Sequence, residues 1–277
     1  MIIDGKQLSA KLKEQMAEQV VELKAKYGRV PSLAVILVGE NPASQSYVRG
    51  KIKAAEEVGI KSELITMPAE ISEEALLAEI DRLNADALID GVLVQLPLPK
   101  HINEERVIDA IAFEKDVDGF HPANVANLWL GKPCIVPCTP KGIMQMIAEC
   151  GFDVAGKKAV VVGRSNIVGK PLAAMMTAAD ATVTLCHSKS KLSHHLYSAD
   201  LIVTAVGKAG FLNCYPIHVP VIDVGINFDE NGKLVGDCFN TEGRDVTPVP
   251  GGVGLLTRCA LLDNVIEAKA RKCLKRG

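Results

Sequence analysis

The spacing of apolar residues predicts that helices alternate with buried strands through the first half of the chain. Apolar side chains recur every three or four residues between Leu8 and Leu23, which predicts an amphipathic helix. The uninterrupted apolar run at 33–38 predicts a buried strand, the segment 91–96 predicts a further strand, and a helical pattern covers 47–58. This alternation predicts a parallel sheet covered by helices, with ligands gathered beyond the carboxyl ends of its strands.

Shorter signals fill the gap between these two strands. A short strand is expected around Leu64 and Ile65. Ser72 is then a suitable N-cap for a helix, because its hydroxyl can accept a backbone N–H bond and the following Glu73 and Glu74 favour the positive end of the helix dipole. The alternation of helix and strand therefore continues through this segment.

The second half shows a further α/β series after a long irregular segment. Residues 113–140 are rich in Gly, Pro, Asn and Asp, which predicts a functional loop that ends where Thr139 caps a helix with Pro140 at its first position. The end of the chain favours a helix whose late basic residues, Lys275 among them, complement its C-terminus. The strands of this second series are expected at 159–162, 182–185, 201–206 and 219–224, and the final helix at 255–275.

Size, composition and charge exclude several classes of protein. The 277 residues exceed the usual size of one compact domain, so two domains that share a cleft are expected. Aromatic residues make up only 4% of the chain, its formal charge is −2 and its pI is about 6.3, which offers little to nucleic acid or to an anionic membrane. Because no long apolar run and no basic leader is present, we expect a cytosolic protein whose partners are small molecules.

The eight cysteines are scattered along the chain. We expect reduced thiols, because a chain of this size folds without disulfides. Cys134 and Cys138 form the one close pair, and no second pair lies nearby, so buried or loop thiols are favoured over zinc ligands. No metal site is expected.

A glycine-containing segment, 163–171, follows the predicted strand that ends at Val162. Backbone N–H groups at such a junction of strand and helix can hold a pyrophosphate. The segment lacks the spacing Gly-x-Gly-x-x-Gly, so an ordinary turn is an equal alternative. It fits a nucleoside-triphosphate loop less well, because five residues separate its glycines and Pro171 follows Lys170.

The end of the next predicted strand favours NADP over NAD. An NAD site commonly places Asp or Glu there to bind the ribose hydroxyls, whereas this chain has Cys186, His187 and Ser188. No acidic side chain would repel a 2′-phosphate, and Arg164 and Ser188 are candidate ligands for it. The alternative is that Arg164 is a solvated loop residue.

A candidate reaction centre combines a lysine with nearby polar groups. Tyr47 and Lys51 are four residues apart in a helical stretch, so they share one face, although an exposed pair is the plainer interpretation. Gln95 lies at a predicted strand end, and Asp118 lies in the polar loop. His121 is a second candidate for proton transfer, but its Gly and Pro neighbours favour a turn equally. His194 and His195 are interpreted as a polar helix surface.

Six segments in order resemble the bifunctional methylenetetrahydrofolate dehydrogenase/cyclohydrolase family, and the match runs from about Ile3 to Val265. The resemblance implies an α/β fold of two domains that face each other across a cleft, the second being a Rossmann-type dinucleotide-binding domain. It implies a folate-binding catalytic domain at 1–138, completed by a C-terminal helix at 257–277, and an NADP-binding domain at 139–256. The matching segments are Tyr47-x-x-x-Lys51, 90–99, 115–122, 137–140, 163–171 and 248–254.

The resemblance also implies roles for individual residues. Lys51 is carried over as the catalytic lysine, Gln95 as its hydrogen-bonding neighbour and Tyr47 as the ring that stacks near the folate. Asp118 is carried over as the pterin-binding carboxylate, and Pro250 and Gly251 as the lining of the folate site. The residues carried over as ligands of NADP are Gly163, Arg164, Ser165, Ser188, Ile226 and Thr257.

The implied chemistry has two steps in one cleft. Methylenetetrahydrofolate gives a hydride to NADP, and water then opens the methenyl product to 10-formyltetrahydrofolate. A lysine beside a cationic substrate loses its proton more readily, so Lys51 can act as the base of the second step. A homodimer is implied by the family alone.

One departure from the family keeps an alternative open. Leu255 and Leu256 follow Gly254 where the family usually has Pro-Met, and Arg258 replaces a small apolar residue, so a dehydrogenase without efficient cyclohydrolase activity is the alternative function. Two further rivals are a two-domain dehydrogenase of the shikimate type and a non-catalytic NADP-binding sensor.

Overall fold

The computed structural model describes residues 5–274, which divide into two compact units. Within these residues, the first-sheet unit comprises 11–127, 133–138 and 261–274. The second-sheet unit comprises 5–10, 128–132 and 139–260. The predicted role of Lys275 at the end of the last helix lies outside the described residues.

The first-sheet unit is built on three parallel strands in the order β2-β1-β3. These are β1 (Ser32–Val38), β2 (Lys61–Met67) and β3 (Gly91–Val94). Strand β1 lies in the centre and all seven of its residues are buried, which explains its uninterrupted apolar run. Strand β2 lies at the edge and is largely exposed, so only its centre was apolar enough to be predicted.

Side chains at the helix starts explain where several helices begin. Asn41 accepts hydrogen bonds from two backbone N–H groups, with Pro42 at the first helical position, and Ser72 accepts one from Ala75 as expected. Among the described residues, none of the helices combines the length and the apolar character needed to cross a lipid bilayer. The helices up to residue 130 are α1 (Gly5–Tyr27), α2 (Pro42–Glu57), α3 (Glu73–Ala85), α4 (Glu104–Ala110) and α5 (Pro122–Trp129).

The second-sheet unit has four parallel strands in the order β5-β4-β6-β7. They are β4 (Lys158–Val162), β5 (Thr182–Cys186), β6 (Leu201–Thr204) and β7 (Val221–Asp223), followed by the antiparallel pair β8 (Asn227–Phe228) and β9 (Leu234–Val235). The chain runs from β4 outward to β5 and returns to β6 on the other side of β4. The strand order therefore reverses between β4 and β6, which is where open α/β sheets bind their ligands.

Four helices complete the chain: α6 (Cys138–Glu149), α7 (Gly169–Ala178), α8 (Leu192–Leu196) and α9 (Val253–Leu274). Each unit has its own apolar core. In the first-sheet unit, side chains of β1 and β3 pack with α3 and α4; in the second, side chains of β4, β6 and β7 pack with α8. The α/β fold class with parallel sheets is confirmed.

Three expectations from the sequence were wrong in detail. The predicted loop at 113–140 contains α5, which is too short to show a clear helical period. Helix α6 begins at Cys138, so Thr139 and Pro140 lie in its first turn, where the missing N–H of proline removes no helical bond. Strands β3, β6 and β7 are also shorter than the segments that predicted them, because residues at the ends of each segment belong to the neighbouring loops.

Lys115 joins the loop after α4 to the end of α3. Its Nζ donates to the carbonyl oxygens of Leu83, Asn84 and Asp86 at 2.7, 2.8 and 2.7 Å. These carbonyls lie at the negative end of the helix dipole and have no helical N–H partner. Burial, and secondarily the charge of Lys272, lower the pKa of Lys115 to about 8, so at pH 7 the side chain remains an ammonium with three donors.

Replacing this ammonium should destabilise the fold. Lys115→Met leaves the carbonyl oxygens of Leu83 and Asn84 without a partner and that of Asp86 with only the N–H of Ile89, and we expect the free energy of unfolding to fall by about 2–4 kcal/mol. Urea denaturation of Lys115→Met and of Lys100→Met, whose side chain is exposed, measures the difference. Equal stability of the two variants would show that Lys115 does not stabilise the end of α3.

Candidate active site

Lys51 and Gln95 meet at the carboxyl end of the first sheet. Lys51 lies on the face of α2 that is half-buried, and Gln95 directly follows Val94, the last residue of β3. Lys51 Nζ donates to Gln95 Oε1 at 3.1 Å, and Gln95 Nε2 donates to the carbonyl oxygen of Leu96 at 2.6 Å. The second bond fixes which end of the amide faces the lysine, so the lysine has an oriented acceptor that carries no charge.

Tyr47 and Asp118 are placed to flank this pair. Tyr47 lies one helical turn before Lys51 and is 37% exposed, so its ring has an open face. Asp118 lines a small cavity together with Leu96, the residue after Gln95, which places its carboxylate beside the carboxyl end of β3. The four residues predicted from the sequence therefore belong to one edge of one sheet.

Asp116, two residues earlier, organises the loop that carries Asp118. The carboxylate of Asp116 is 3% exposed and accepts hydrogen bonds from the backbone N–H groups of Gly119 and His121, at 3.1 and 2.8 Å, and from Asn124 Nδ2 at 3.0 Å. Burial raises the pKa of Asp116, and the hydrogen bonds from His121 and Asn124 oppose that rise. Asp116 is thus committed to the loop, whereas Asp118 accepts only a weak bond from Cys138 Sγ at 3.7 Å within the described residues.

A buried amide on α9 fixes the other side of the same loop. Asn264 Nδ2 donates to the carbonyl oxygens of Val117 and Val136, at 2.8 and 2.9 Å. Gly119 has φ +74°, and a Cβ at this position would lie 2.6 Å from the backbone nitrogen of Pro137. The loop therefore admits no side chain at residue 119, which explains the sequence Asp-Gly after Val117.

The glycine loop of the second-sheet unit leaves no space for side chains at two positions. A Cβ on Gly163 would lie 2.3 Å from the carbonyl oxygen of Ala205, and one on Gly169 would lie 1.9 Å from that of Gly163. The hydroxyl of Ser165 accepts bonds from the N–H groups of Val168 and Gly169 at the start of α7, at 3.2 and 3.4 Å. This tight junction of strand and helix suits a pyrophosphate, and it favours the cofactor loop over an ordinary turn.

The strand register brings Arg164 and Ser188 together. Val162 of β4 pairs with Cys186 of β5, and each candidate follows its strand by two residues. Both side chains are exposed, and neither forms a hydrogen bond or ion pair within the described residues. Lys189 adds a positive charge beside Ser188, a signal that the sequence analysis overlooked. The geometry fits a phosphate held between the two turns.

The remaining candidates also lie in the second-sheet unit. Ile226 is 47% exposed after β7, and Thr257 Oγ1 lies 3.2 Å from Thr139 Oγ1 on α6. Pro250 and Gly251 follow the second sheet as well, so they belong to a different unit from Tyr47, Lys51, Gln95 and Asp118.

The unusual Leu256 has a structural explanation. Its side chain is completely buried, and Gly142 of α6 lies so close that a Cβ there would reach 2.9 Å from the Leu256 backbone. Leu255 is half-buried beside it. Leu256 is therefore a packing residue of the α6–α9 contact.

Two family models match the chain on either side of residue 130. One is described as the catalytic domain of tetrahydrofolate dehydrogenase/cyclohydrolase and matches residues 3–118. The other is described as the NAD(P)-binding domain of the same family and matches residues 137–273. The chain belongs to the tetrahydrofolate dehydrogenase/cyclohydrolase family.

Individual members of the family agree with this assignment along the whole chain. The bifunctional protein FolD of Listeria innocua is 51% identical over 277 residues, which covers 98% of this chain and 97% of the relative. The FolD of Moorella thermoacetica is 53% identical and covers 98% of this chain and 99% of its own length. The resemblance inferred from the six sequence segments is confirmed, and the shikimate-type alternative is excluded.

Solved structures of family members have the same fold. The bifunctional FolD of Campylobacter jejuni has a TM-score of 0.95 and 47% identity, covering 98% of this chain and 99% of that one. The dehydrogenase-cyclohydrolase of Trypanosoma brucei, complexed with NADP and an inhibitor, has a TM-score of 0.93 and 35% identity, covering 99% and 98%.

The two aspartates of the polar loop should differ in their effect on stability. Asp116→Ala removes the acceptor of three hydrogen bonds, and we expect it to lower the free energy of unfolding by about 2–4 kcal/mol. Asp118→Ala should change it by less than about 0.5 kcal/mol, because Asp118 holds no part of the loop. Guanidinium denaturation of the pair measures both, and the reverse order would contradict the division of roles between them.

Proposed function

We propose that this protein oxidises 5,10-methylenetetrahydrofolate with NADP and hydrolyses the resulting 5,10-methenyltetrahydrofolate to 10-formyltetrahydrofolate. The observation that carries the proposal is the bond of 3.1 Å between Lys51 Nζ and Gln95 Oε1, which places an amine at the carboxyl end of the first sheet. An amine in that place serves the hydrolytic step, and the family supplies the reaction. Because the matched relatives are described as bifunctional, both activities are favoured over the dehydrogenase alone.

The folate is held by groups that orient it. The open face of Tyr47 stacks on the folate, and the Asp118 carboxylate accepts hydrogen bonds from the amino and ring N–H groups of the pterin. These contacts fix the one-carbon unit, and positioning of this kind is the main contribution a protein makes to hydride transfer.

NADP, when bound, would supply the hydride acceptor. Gly163 and Ser165 hold the pyrophosphate through the tight start of α7, and Arg164 and Ser188 bind the 2′-phosphate from adjacent turns. Ile226, whose apolar side chain is exposed, would cover the cofactor, and Thr257 would contact its nicotinamide end. The crowding at Gly163 and Gly169 supports this placement, because a backbone bare of side chains is what a phosphate needs to approach.

Lys51 carries the proton transfer of the hydrolytic step. The methenyl carbon is cationic, and water that adds to it must lose a proton. Lys51 accepts this proton, and Gln95 orients the amine by a hydrogen bond without forming an ion pair that would hold the lysine protonated. The same lysine does not take part in hydride transfer beyond lining the site.

Assembly and location follow the family. We propose a homodimer, supported by large apolar side chains that are exposed on the second-sheet unit, namely Tyr197, Ile217, Phe228 and Phe239.

We also propose that the protein is located in the cytosol. The proposal is supported by the eight cysteines, all of which are free thiols, as expected in a reducing compartment.

The direct test is a spectrophotometric assay of the purified protein. Methylenetetrahydrofolate is supplied with NADP or NAD, and formation of methenyltetrahydrofolate is followed by its absorbance. Added methenyltetrahydrofolate then reports the hydrolytic step separately. Binding of NADPH without turnover of either folate would favour the non-catalytic sensor, and formation of the methenyl compound without its hydrolysis would favour the monofunctional dehydrogenase.

Lys51 should matter more for hydrolysis than for oxidation. Lys51→Met keeps the apolar stem and removes the amine, so we expect the cyclohydrolase rate to fall by roughly 10²–10⁴-fold, the usual contribution of general acid–base catalysis. The dehydrogenase rate should fall less, so methenyltetrahydrofolate accumulates. Lys53→Met, an exposed lysine on the same helix, is the matched control. Hydrolysis at the wild-type rate by folded Lys51→Met would disprove the catalytic role.

Arg164 should distinguish the two cofactors. Arg164→Ala removes a charge that faces the 2′-phosphate of NADP but has no counterpart in NAD. We expect the KM for NADP to rise by about tenfold or more and the KM for NAD to change by less than about twofold. Lys158→Ala, at the opposite end of β4, controls for loss of an exposed charge. An equal rise for both cofactors would remove Arg164 from the 2′-phosphate site.

A further inference from the structure

Three consecutive backbone N–H groups after β6 converge on one buried carboxylate. The N–H groups of Val206 and Gly207 donate to Asp237 Oδ2 at 2.7 and 3.2 Å, and the N–H of Lys208 donates to Oδ1 at 2.9 Å. Gly207 has φ +68°, the conformation that turns successive N–H groups to one side. The turn at 206–208 is therefore an anion-binding nest, and its anion is a side chain of the protein.

Two side chains complete the shell around this carboxylate. Thr204 Oγ1 donates to Oδ2 at 3.2 Å, and Asn227 Nδ2 donates to Oδ1 at 3.0 Å. Asp237 is completely buried, so its charge is compensated by these five donors and not by water. Asn227 follows Ile226, so the same carboxylate ties the segment that carries Ile226 to the turn after β6.

The nest determines where the carbonyl groups of the turn point. In a trans peptide the C=O of one residue points away from the N–H of the next, and the three peptides of this turn are trans. The carbonyl oxygens of Ala205, Val206 and Gly207 therefore face away from Asp237. Within the described residues none of the three accepts a hydrogen bond, and that of Ala205 lies beside Gly163.

These carbonyl groups lie where the sheet is expected to bind its ligand. The turn follows β6, and the glycine loop at 163–169 follows β4, so the two are the walls of the crevice where the strand order reverses. One wall is the glycine loop that leads into α7, a junction of strand and helix of the kind that holds phosphate. The other wall offers acceptors and no N–H groups, which suits hydrogen-bond donors of a ligand.

We propose that Asp237 is a positioning residue for the cofactor. By drawing the three N–H groups to itself, it presents the carbonyl oxygens of 205–207 to the donor groups of NADP, which are its ribose hydroxyls and its carboxamide NH₂. The proposal rests on the proposed function only for the identity of the ligand. Asp237 touches neither the cofactor nor the folate, and it acts through the shape of the turn.

A second buried aspartate fixes Asp237 itself and explains why no other residue would serve. Asp223 accepts bonds from the backbone N–H groups of Gly225, Asp237 and Cys238, at 2.9, 2.9 and 2.8 Å. A Cβ on Gly225 would lie 2.3 Å from Asp237 Oδ1, and one on Gly236 would lie 2.0 Å from Asp223 Oδ2. A longer glutamate has no room in this packing, so the test requires a variant of equal size.

The test is Asp237→Asn, which keeps the volume and replaces one acceptor oxygen with an NH₂ that opposes the N–H groups of the turn. Calorimetric titration of the folded variant with NADP should give a Kd about tenfold or more above that of the wild type, since the displaced carbonyl groups lose their hydrogen bonds to the cofactor and two such bonds correspond to about that factor. Hydrolysis of added methenyltetrahydrofolate, measured without NADP, should stay within about twofold, because it needs no hydride acceptor.

Val219→Ala is the matched structural control. Val219 is buried in the same core, and its truncation costs stability without contact with the turn. NADP affinity that is unchanged in Asp237→Asn, or that falls equally in Val219→Ala, would overturn the proposal. If Asp237→Asn fails to fold, Gly207→Ala strains the exposed turn directly, and an unchanged Kd in that variant would overturn it as well. A wild type that binds NADP but acts on neither folate would refute the proposed function alone.

Discussion

Buried aspartates that accept backbone N–H bonds are the constraint on which both candidate sites depend. The loops beyond the carboxyl ends of parallel strands have N–H groups that no neighbouring strand can pair. Asp116 pairs them in the loop of the first-sheet unit, and Asp237 pairs them in the turn after β6. The two units use the same device although their ligands differ, because each must hold irregular backbone in one shape beside a ligand.

Burial of these carboxylates costs free energy, and that cost explains why each accepts several hydrogen bonds. Burial raises the pKa of Asp116 and of Asp223, which shows that the carboxylate form is disfavoured by the loss of water. Each carboxylate accepts at least three hydrogen bonds, and these offset the loss. A side chain engaged in this way is unavailable to a ligand. A neighbour such as Asp118, whose carboxylate is left with one weak bond within the described residues, remains open to a ligand.

The Lys51–Gln95 pair differs from these aspartates, because its acceptor is a neutral amide and not a carboxylate. A carboxylate in place of Gln95 would bind Lys51 strongly and keep it protonated, which would suit stability and not proton transfer. The amide orients the amine and adds no charge. In the first-sheet unit, the Asp116 carboxylate is fully paired within its loop, whereas Lys51, the base that we propose, has a neutral partner.

The sequence by itself determined the fold class, the family and the order of the seven parallel strands. Apolar runs such as 33–38 are a local property of the chain. The glycines at 163 and 169 are likewise visible in the sequence, and they indicate that two backbone segments pack too closely for any side chain. The candidate residues Lys51 and Gln95, 44 positions apart, could be named from motifs and strand ends alone. Helix α5 was missed because eight residues are too few for a hydrophobic period to emerge from a segment rich in Gly and Pro.

Only the tertiary structure decided which polar residues hold the backbone and which remain open to a ligand. Asp116 and Asp118 have the same side chain and nearly the same place in the sequence, and their difference arises from which donors the folded loop brings within reach. Asp237 gave no sequence signal, because its five donors come from segments up to 33 residues away and meet only once β6 and the segments after it are packed. Such pairing depends on long-range register, which local pattern does not contain.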